Sequence, residues 1–512
     1  MSRLQYSFRV NVPQKTAVLD DLMSGREYLE TLRDDRAVYL YGERIQDVTV
    51  HPAFRNSARS IARLYDALHN PRSRDVMTTV DRFGIRTHRF FAPSYSAAEL
   101  LAARDAIAAW ARLTYGFMGR TPDYKAAFMA TLGANPEFYS PFEENARRWY
   151  RLFASKALYL NHVLINPPVD RMKPVHEIAD VFLHVVRETD AGAIVSGAKM
   201  LATGSALTNA TFVAQNSATT LQQGEAEDFA LVFIAPMDTP GTKLLCRPSY
   251  EQSARSPFEH PLSSRFDEND AVLIFDEALI PWENFLVYRN VERANSFFPE
   301  SGFFNRYNLQ GGTRLAVKLD LMTGLLARGL AINGTDGFRG VQAALGDVIA
   351  WRTLMWAMTT ALAADPQPGP GGSVLPRLEY AAAMRIFATS AWPVVKNIME
   401  NVLGGAPLVT ASGPEDLQSP DLRPLIDRYY RGTNTSAEER IKLFKLIWDA
   451  IGTEFAGRHE LYERNYAGNH EQIRVDTVNF AKRSGVMDEC LKLVDECLAD
   501  YDLDGWRNDT WL

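Results

Sequence analysis

The chain has 512 residues, of which 46% are hydrophobic and 23% are charged, and its formal net charge is −7 at pH 7. This acidic balance excludes a simple polybasic membrane anchor and argues against nucleic acid as a partner, because phosphate binding needs a basic face. The hydrophobic fraction is large enough for a sizeable core, which a chain of this length is expected to divide between two or three sub-domains.

The cysteines and the N-terminus indicate the compartment. Cys246, Cys490 and Cys497 include no C-x-x-C pair, so neither a disulfide framework nor a structural zinc is expected. Residues 1–12 contain no continuous apolar segment and do not resemble a signal peptide. Because no apolar stretch approaches the length of a membrane span, we expect a soluble, cytoplasmic protein with no membrane partner.

The first third of the chain is predicted to be mainly helical. Ser96 and Glu99 form an S-x-x-E capping box at the start of one helix, and apolar residues then recur at helical spacing. We expect this helix to end near Gly119. The positions at this spacing are Leu100, Ile107, Trp110, Thr114 and Met118.

A second helix is predicted to begin directly after this break. Thr121 can serve as its N-cap and Pro122 as its first residue, where proline is well tolerated. Arg120 is therefore placed between two helices, and Tyr124 about one turn into the second. This puts a guanidinium and a phenol close together.

The middle of the chain is predicted to be a β domain, spanning roughly residues 167–283. Short β-rich segments are separated by Gly, Pro, Asp and Asn, a pattern typical of a barrel or a sandwich. The segments are Val181–Arg187, Ala193–Ser196, Thr211–Gln215, Phe229–Ala235, Thr242–Cys246 and Val272–Phe275.

The last part of the chain is predicted to be a helical bundle. Two apolar stripes recur at helical spacing, the second after a cap at Thr435 or Ser436, and residues 366–372 form a loop between bundle helices. The fold class is therefore α+β, with domains at 1–166, 167–290 and 291–512. The stripes are Ala344, Val348, Trp351, Met355 and Met358, and then Ile441, Phe444, Trp448 and Ile451.

Several common catalytic motifs do not occur in the sequence. There is no GxGxxG after a strand, no GxxxxGK[ST] and no GxSxG, which disfavours a Rossmann cofactor, a P-loop and a common serine hydrolase. His176-Glu177 and His459-Glu460 do not continue to HExxH, and His184 is eight residues after His176. No metal site is expected.

Polar clusters remain as candidates for a site. One surrounds Arg120, a second is Asn161-His162 followed by residues 166–171, and a third is residues 202–209 between strands. The spacing leaves alternatives open. Arg120 can simply pair with an acid such as Asp123, and a histidine on an apolar face is more often a hydrogen-bonded core residue than a catalytic one.

At these clusters the chain resembles the large component of 4-hydroxyphenylacetate 3-monooxygenase. The motifs GFMGRTPDYKAAF, NPPVDR, SGAKMLATGSALT, SPFEHPLSSRFDENDA, IPWENFLVY and GRHELYERNYAGNHE carry the resemblance over nearly the whole chain. It implies an acyl-CoA-dehydrogenase-like fold with a helical N-terminal domain, a β-barrel and a C-terminal bundle, usually as a homotetramer. It also implies O2 and free reduced FAD (FADH2) supplied by a separate NAD(P)H-flavin reductase.

The resemblance also implies site residues. Arg120, Tyr124 and His162 match the residues around the phenol oxygen and the reactive edge of the flavin, and are the expected catalytic and substrate-binding groups. Gln215 and Asn216 stand where some relatives place a serine-threonine pair beside the substrate carboxylate. The flavin-contacting pattern falls on His162, Pro168, Val169, Asp170, Arg171, Thr203, Thr453, Glu454, Phe455 and Ala456.

The family's reaction, which runs through a flavin C4a-hydroperoxide, explains these residue types. The ring carbon ortho to the hydroxyl attacks the distal oxygen, and it becomes more nucleophilic as the phenol loses its proton. A fixed Arg120 cation favours phenolate character. His162 can move the phenol proton, Tyr124 can orient the hydroxyl, and Thr203 can donate a hydrogen bond to the flavin.

The sequence leaves alternatives for the identity of the phenol and for the role of one loop. Gln215 and Asn216 do not reproduce two short hydroxyls, so a tyrosine-derived, coumarate-like, chlorinated or carrier-tethered phenol stays an alternative to 4-hydroxyphenylacetate. Residues 217–227 are polar, and the resemblance suggests that they form a lid over the substrate. Two other functions are weighed: an acyl-CoA dehydrogenase or dehydratase-like flavoprotein, and a non-catalytic homologue.

Overall fold

The computed structural model describes residues 18–216 and 220–507. The N-terminal segment 1–12 therefore lies outside the described residues, as do positions 217–219 of the expected lid. The N-terminal third contains six helices and five strands among these residues. They are α1 (Gly25–Thr31), β1 (Ala37–Leu40), β2 (Glu43–Ile45), α2 (Arg55–His69), α3 (Arg74–Met77), β3 (Thr78–Val80), β4 (Arg86–His88), α4 (Ala97–Leu113), α5 (Pro122–Ala134), α6 (Glu143–Lys156) and β5 (Leu160–Val163).

Local sequence signals explain the two helices that matter for the site. Ser96 caps α4 by accepting a hydrogen bond from the backbone N–H of Glu99, as the capping box predicts. The predicted end at Gly119 is wrong, because α4 stops at Leu113 and the chain then takes positive φ angles at Tyr115 and Gly116. Helix α5 begins at Pro122, as predicted.

The middle of the chain contains most of the strands, close to the predicted segments. They are β6 (His184–Thr189), β7 (Gly192–Lys199), β8 (Ala210–Val213), β9 (Leu231–Pro236), β10 (Thr242–Cys246), β11 (Ala271–Pro281) and β12 (Phe285–Tyr288), with the short helix α7 (Tyr250–Ser253) before β11.

These strands form two sheets that pack on each other. The six-stranded sheet has the order β2-β1-β10-β11-β7-β6, and the four-stranded sheet has the order β12-β9-β8-β5. Phe233 of β9 meets Phe275 of β11 across the interface, with ring centres 5.6 Å apart. The described strands thus resemble the sandwich alternative, and the closed barrel stays a prediction. Because β1, β2 and β5 join these sheets, the domain boundary near 166 also stays a prediction.

The C-terminal part is the helical bundle that the apolar stripes predict. Ser436 and Glu439 form a reciprocal capping box at the start of α14. The elements are α8 (Val291–Glu300), α9 (Phe303–Asn333), α10 (Arg339–Ala364), β13 (Gln367–Pro368), β14 (Val374–Leu375), α11 (Leu378–Leu403), α12 (Pro414–Gln418), α13 (Arg423–Tyr429), α14 (Ala437–Ile451), α15 (Glu454–Asn465), α16 (His470–Ser484), α17 (Val486–Ala499), β15 (Tyr501–Asp502) and β16 (Gly505–Trp506).

One continuous hydrophobic core joins the three parts. It runs from α1 through both sheets to α9, α11 and the start of α15. Helix α9 lies at its centre, and its residues from Phe303 to Leu319 are all buried. In the described part of the chain, no helix has the length and apolar character needed to cross a bilayer. The architecture is therefore a mixed α+β fold in which α5, β5 and α15 approach one another around a shared interior.

Candidate active site

Arg120, just before α5, and the first turn of this helix bring a guanidinium, an amine and a phenol together. The Arg120 guanidinium lies over the ring of Tyr124, with Cζ 4.0 Å from the ring centre, and 5.3 Å from that of Tyr462. Lys125 Nζ lies 3.9 Å from the Tyr124 ring centre. The backbone N–H of Arg120 donates to Glu268 Oε1 at 2.5 Å, which fixes the break between α4 and α5.

Strand β5 brings His162 to the same place. The strand pairs in parallel with β8, and the His162 ring packs against Tyr124 and Phe128 at centroid distances of 5.7 and 5.4 Å. His162 Nδ1 lies 2.6 Å from Lys125 Nζ. The structure therefore brings Arg120, Tyr124 and His162 together, and adds Lys125 to them.

The electrostatics of this cluster favour a positive charge on Arg120 and a neutral His162. Although burial disfavours its cation, the oxygens of Tyr124, Tyr462 and Glu268 hold the pKa of Arg120 above its ordinary value. Burial and the neighbouring cations lower the pKa of His162 well below its usual range. Arg120 is thus the permanent cation, and its buried Nη1 has no hydrogen-bond partner among the described residues.

A network of buried charged side chains contacts the backbone of Arg120 through Glu268. Arg458 on α15 binds Asp270 at 2.8 Å and Glu268 at 3.3 Å, and Arg247 binds Asp270 at 3.1 Å. Thr203 Oγ1 donates to Asp270 Oδ1 at 2.6 Å. Although burial opposes ionisation, the two arginines and Thr203 lower the pKa of Asp270. Thr203 is thereby joined to both α15 and Arg120.

Helix α15 begins beside this network. Thr453 is its N-cap and accepts a hydrogen bond from the backbone N–H of Ala456. The backbone N–H groups of Glu454 and Phe455 belong to the first helical turn, where no intrahelical acceptor exists. The Phe455 ring stacks on that of Phe117, with centres 5.9 Å apart. The start of α15 therefore offers N–H donors beside an aromatic wall.

The loop after β5 lies on the surface, unlike the buried cluster around Arg120. Pro168, Val169, Asp170 and Arg171 are exposed, and Asp170 has a φ of 40°. The contact of this loop with the rest of the site is indirect: the backbone N–H of Met200, after β7, donates to the carbonyl of Ile165 at 2.9 Å. The loop thus lies near the Thr203 turn but not in direct hydrogen-bond contact with the Arg120 cluster among the described residues.

Gln215 has a structural arrangement that the sequence did not indicate. Its Nε2 donates to the carbonyl of Phe229 at 2.8 Å, and its Oε1 accepts from Lys199 Nζ at 3.1 Å. Lys199 is fully buried, and burial lowers its pKa to about 7. The Gln215 amide is therefore held on both sides by the protein. Asn216 follows it and is half-buried.

The described part of the expected lid is attached to α8. Leu221 is buried, and its backbone N–H and carbonyl are both bound by the Asn295 side chain at 2.9 Å. Glu225 lies 3.7 Å from His176. The lid stays a hypothesis, because Ser217, Ala218 and Thr219 lie outside the described residues.

Sequence reasoning did not assign Lys125, Glu268, Asp270 or Arg458. All four occur inside the motifs that carry the resemblance, so the signal was present as residue identity. Only the packing of distant segments shows that they meet. The role of Gly119 is also visible only in the structure. It leaves room for the Tyr462 hydroxyl, which a Cβ added at Gly119 would overlap.

Comparisons with known proteins agree along nearly the whole chain. Models described as 4-hydroxyphenylacetate 3-hydroxylase N terminal and C terminal match residues 24–287 and 294–496. The chain is 58% identical over 495 residues to the pyoverdin chromophore biosynthetic protein PvcC of Pseudomonas aeruginosa, covering 97% of this chain and 99% of that protein. It is 53% identical over 489 residues to the 4-hydroxyphenylacetate 3-monooxygenase oxygenase component of the same organism, covering 94% of each.

A solved structure has the same fold. The oxygenase component (HpaB) of 4-hydroxyphenylacetate 3-monooxygenase, complexed with FAD and 4-hydroxyphenylacetate, matches with a TM-score of 0.87 at 30% sequence identity. The match covers 93% of this chain and 99% of that one.

Proposed function

The chain belongs to the 4-hydroxyphenylacetate 3-hydroxylase family, and from this premise we propose that it hydroxylates a para-substituted phenol to a catechol. It is the oxygenase component of a two-component flavin-dependent monooxygenase, with FAD and O2 as cofactors. The observation that carries the proposal is the convergence of Arg120, Tyr124 and His162 on one interior point, where the buried Arg120 Nη1 has no hydrogen-bond partner in the described part of the chain.

The donors around this point fit a flavin and a phenol. The first N–H groups of α15 suit the polar edge of an isoalloxazine, and Phe117 and Phe455 supply an apolar wall that excludes water. Because the Thr203 hydroxyl already donates its hydrogen to Asp270, it would accept a hydrogen bond from an N–H group of reduced FAD instead of donating one. Pro168, Val169, Asp170 and Arg171 form an exposed loop that can close on the remaining part of the cofactor. When bound, reduced FAD supplies the activation of dioxygen.

The chain's own residues act on the phenol. Arg120 stabilises negative charge on the phenol oxygen, because it is a fixed cation in a buried site. Tyr124 orients the hydroxyl, and His162 exchanges a proton with it at an imidazole nitrogen. A more anionic oxygen makes the ortho carbon of the ring more nucleophilic, which is the property that hydroxylation at that carbon needs.

The substrate class follows from what the site provides. Since the protein itself holds the Gln215 amide at both ends, we do not assign Gln215 to a substrate carboxylate, and phenols without a carboxylate are included in the proposal. 4-Hydroxyphenylacetate, tyrosine-derived, coumarate-like and chlorinated phenols, and a phenol tethered to a carrier protein, are the candidates to be compared.

We further propose a homotetramer in the cytoplasm, served by a separate NAD(P)H-flavin reductase. The apolar side chains of α17 support an assembly, because no residue of this helix is buried within one chain. Exposed apolar surface of this extent is typical of a protein interface. Light scattering after size-exclusion chromatography tests the tetramer. The apolar side chains are Leu491, Leu493, Val494 and Leu498.

The experiment that tests the function combines the protein with a generic flavin reductase, NADH, FAD and a panel of para-substituted phenols. We expect one of them to give a catechol with oxygen added ortho to the hydroxyl, identified by chromatography against standards. If every phenol yields hydrogen peroxide and no catechol, the proposed function is refuted.

A further inference from the structure

Lys125 is a buried lysine with an unusual partner. Only 1% of the residue is exposed, and no carboxylate lies within ion-pair distance of its Nζ among the described residues. Its hydrogen-bond partner is instead the imidazole of His162, with Nζ and Nδ1 2.6 Å apart. A buried ammonium without a carboxylate is costly, so this geometry favours a neutral amine.

The surrounding charges point the same way. Arg120, just before α5, acts as a cation on both side chains, and Glu268, the acid that favours an ammonium at Lys125, is already bound by the Arg120 backbone and by Arg458. Burial and Arg120, opposed in smaller part by Glu268, lower the pKa of Lys125 well below its ordinary range. An ammonium at Lys125 would be a second cation beside Arg120, with no acid bound to it.

The two ring nitrogens of His162 are then used differently. Nδ1 is occupied by Lys125, whereas Nε2 has no hydrogen-bond partner among the described residues and is the nitrogen open to a ligand. A neutral amine accepts a hydrogen bond from Nδ1–H, which leaves the Nε2 lone pair free. This tautomer can accept a proton at Nε2 and release one at Nδ1.

We propose that Lys125 acts through His162 as the final acceptor of the phenol proton. The inference rests on the proposed function, since it concerns the same phenol. The O–H bond of the phenol breaks as a bond from hydrogen to Nε2 forms, and the Nδ1–H bond breaks as a bond from hydrogen to Nζ forms. No electrons are transferred to or from the pair. The products are a phenolate, a neutral imidazole and an ammonium.

This relay has an electrostatic advantage over a proton lost to solvent. The proton stays in the site, so forming the phenolate does not change the net charge of the site. The new anion lies among Arg120 and the newly formed Lys125 ammonium, which compensate it. After hydroxylation, the same path can return a proton to the oxygen. Lys125 is therefore a positioning and proton-storing residue that need not touch the substrate.

The test measures where the proton goes. The FAD-loaded protein is mixed with 4-nitrophenol, whose phenolate is coloured, in weak buffer at a pH where the free probe is mostly un-ionised. An indicator dye that absorbs at another wavelength records protons released to solvent. We expect the wild type to form bound phenolate with almost no release of protons to solvent. We expect Lys125→Met to form less phenolate and to release about one proton for each phenolate that forms.

Two further variants separate the relay from other roles. Lys125→Arg keeps a cation that cannot accept a proton, so it should behave as Lys125→Met does, whereas a purely electrostatic role predicts rescue. Lys243→Met removes a surface lysine, paired with Asp276, and should match the wild type. Lys125→Gln serves as the amine-free variant if Lys125→Met does not fold, as judged by circular dichroism.

The outcomes are distinct. A wild type that releases its proton to solvent, forms no phenolate, or is matched by Lys125→Met in both signals would overturn the relay. Catechol formation is measured in parallel, and Lys125→Met should lower its rate about 100-fold. If the wild type retains the proton but makes no catechol, the proposed function fails and the relay stands. If the wild type and Lys125→Met make catechol equally fast, the function stands and the relay fails.

Discussion

Arg314 of α9 and Glu463 of α15 form a bidentate ion pair with side chains that are 1% and 0% exposed. The Nη2–Oε2 distance is 2.7 Å, and Lys318 Nζ adds a third contact to Glu463 at 3.0 Å. This pair joins the central helix of the bundle to the helix that carries Arg458. The ion pair that stabilises the bundle therefore also helps to position Arg458 and the charge network that contacts Arg120.

Glu463→Gln should lower the thermal unfolding midpoint, because it leaves two buried cations without their acid, a loss of about 3 kcal/mol. Burial alone would raise the pKa of Glu463, but Arg314 and Lys318 outweigh it and lower this pKa to about 2. The ionised group therefore contributes stability that is complete above the unfolded pKa of about 4.3.

This contribution should be lost as the pH falls toward the folded pKa of about 2. Calorimetry of wild type and Glu463→Gln across a pH series should show a constant gap above about pH 5 that narrows on acidification. A gap that widens as the pH falls would contradict the assignment. Glu438→Gln, on the exposed surface of α14, is the control.

Arg120→Ala should lower the rate of catechol formation about 100-fold to 1000-fold, because it removes the fixed cation beside the phenol oxygen. Its dissociation constant for reduced FAD, measured anaerobically, should change little. Arg74→Ala, which breaks a surface ion pair with Asp20, should be normal in both measurements. Equal losses of flavin binding and of catalysis in Arg120→Ala would place Arg120 in the cofactor site instead.

His162→Ala should lower catechol formation by about 100-fold or more, because the phenol loses its proton acceptor. The rate should be compared with that of the double variant His162→Ala/Lys125→Met. Because Lys125 acts through the imidazole, its replacement should have little additional effect once His162 is absent. Losses that multiply in the double variant would mean that the two residues act independently.

Gly119→Ala should reduce both activity and stability. The added Cβ would overlap the Tyr462 hydroxyl, so either this ring or the Arg120 backbone has to move, at a cost of about 1–3 kcal/mol. Gly457→Ala on α15 is the matched control, because a Cβ there meets no atom within 4 Å. It should stabilise the helix slightly. Wild-type turnover in Gly119→Ala would show that the contact is not needed.

Gln215→Met should destabilise the protein by about 1–3 kcal/mol, because the buried Phe229 carbonyl loses this donor and the buried Lys199 loses one of its acceptors. We expect the ratio of kcat/KM values for 4-hydroxyphenylacetate and p-cresol to stay unchanged, since the amide is held by Lys199 and Phe229. A selective loss for the carboxylate-bearing substrate would restore Gln215 as a substrate contact.

Local chemistry explains which parts of the fold could be predicted. The starts of α5 and α14 depend on Thr121-Pro122 and Ser436, residues within one turn of the helix they begin. The strands of the middle part follow from short β-rich segments between turn residues. The end of α4 was wrong by six residues because left-handed backbone at Tyr115 and Gly116 breaks the helix before its apolar pattern ends.

The sequence by itself determined the family and the helical, β and helical order of the three parts, and it predicted three residues of the candidate site, because these depend on neighbouring residues or on motif identity. Only the tertiary structure decided that His162 meets Lys125, that Thr203 and Arg458 share Asp270, and that Gln215 is held by Lys199. These partners are 16 to 188 residues apart in the chain. Each buried polar group needs a hydrogen-bond partner, because it has no access to water. The packing of α5, β5 and α15 decides which of these groups become partners.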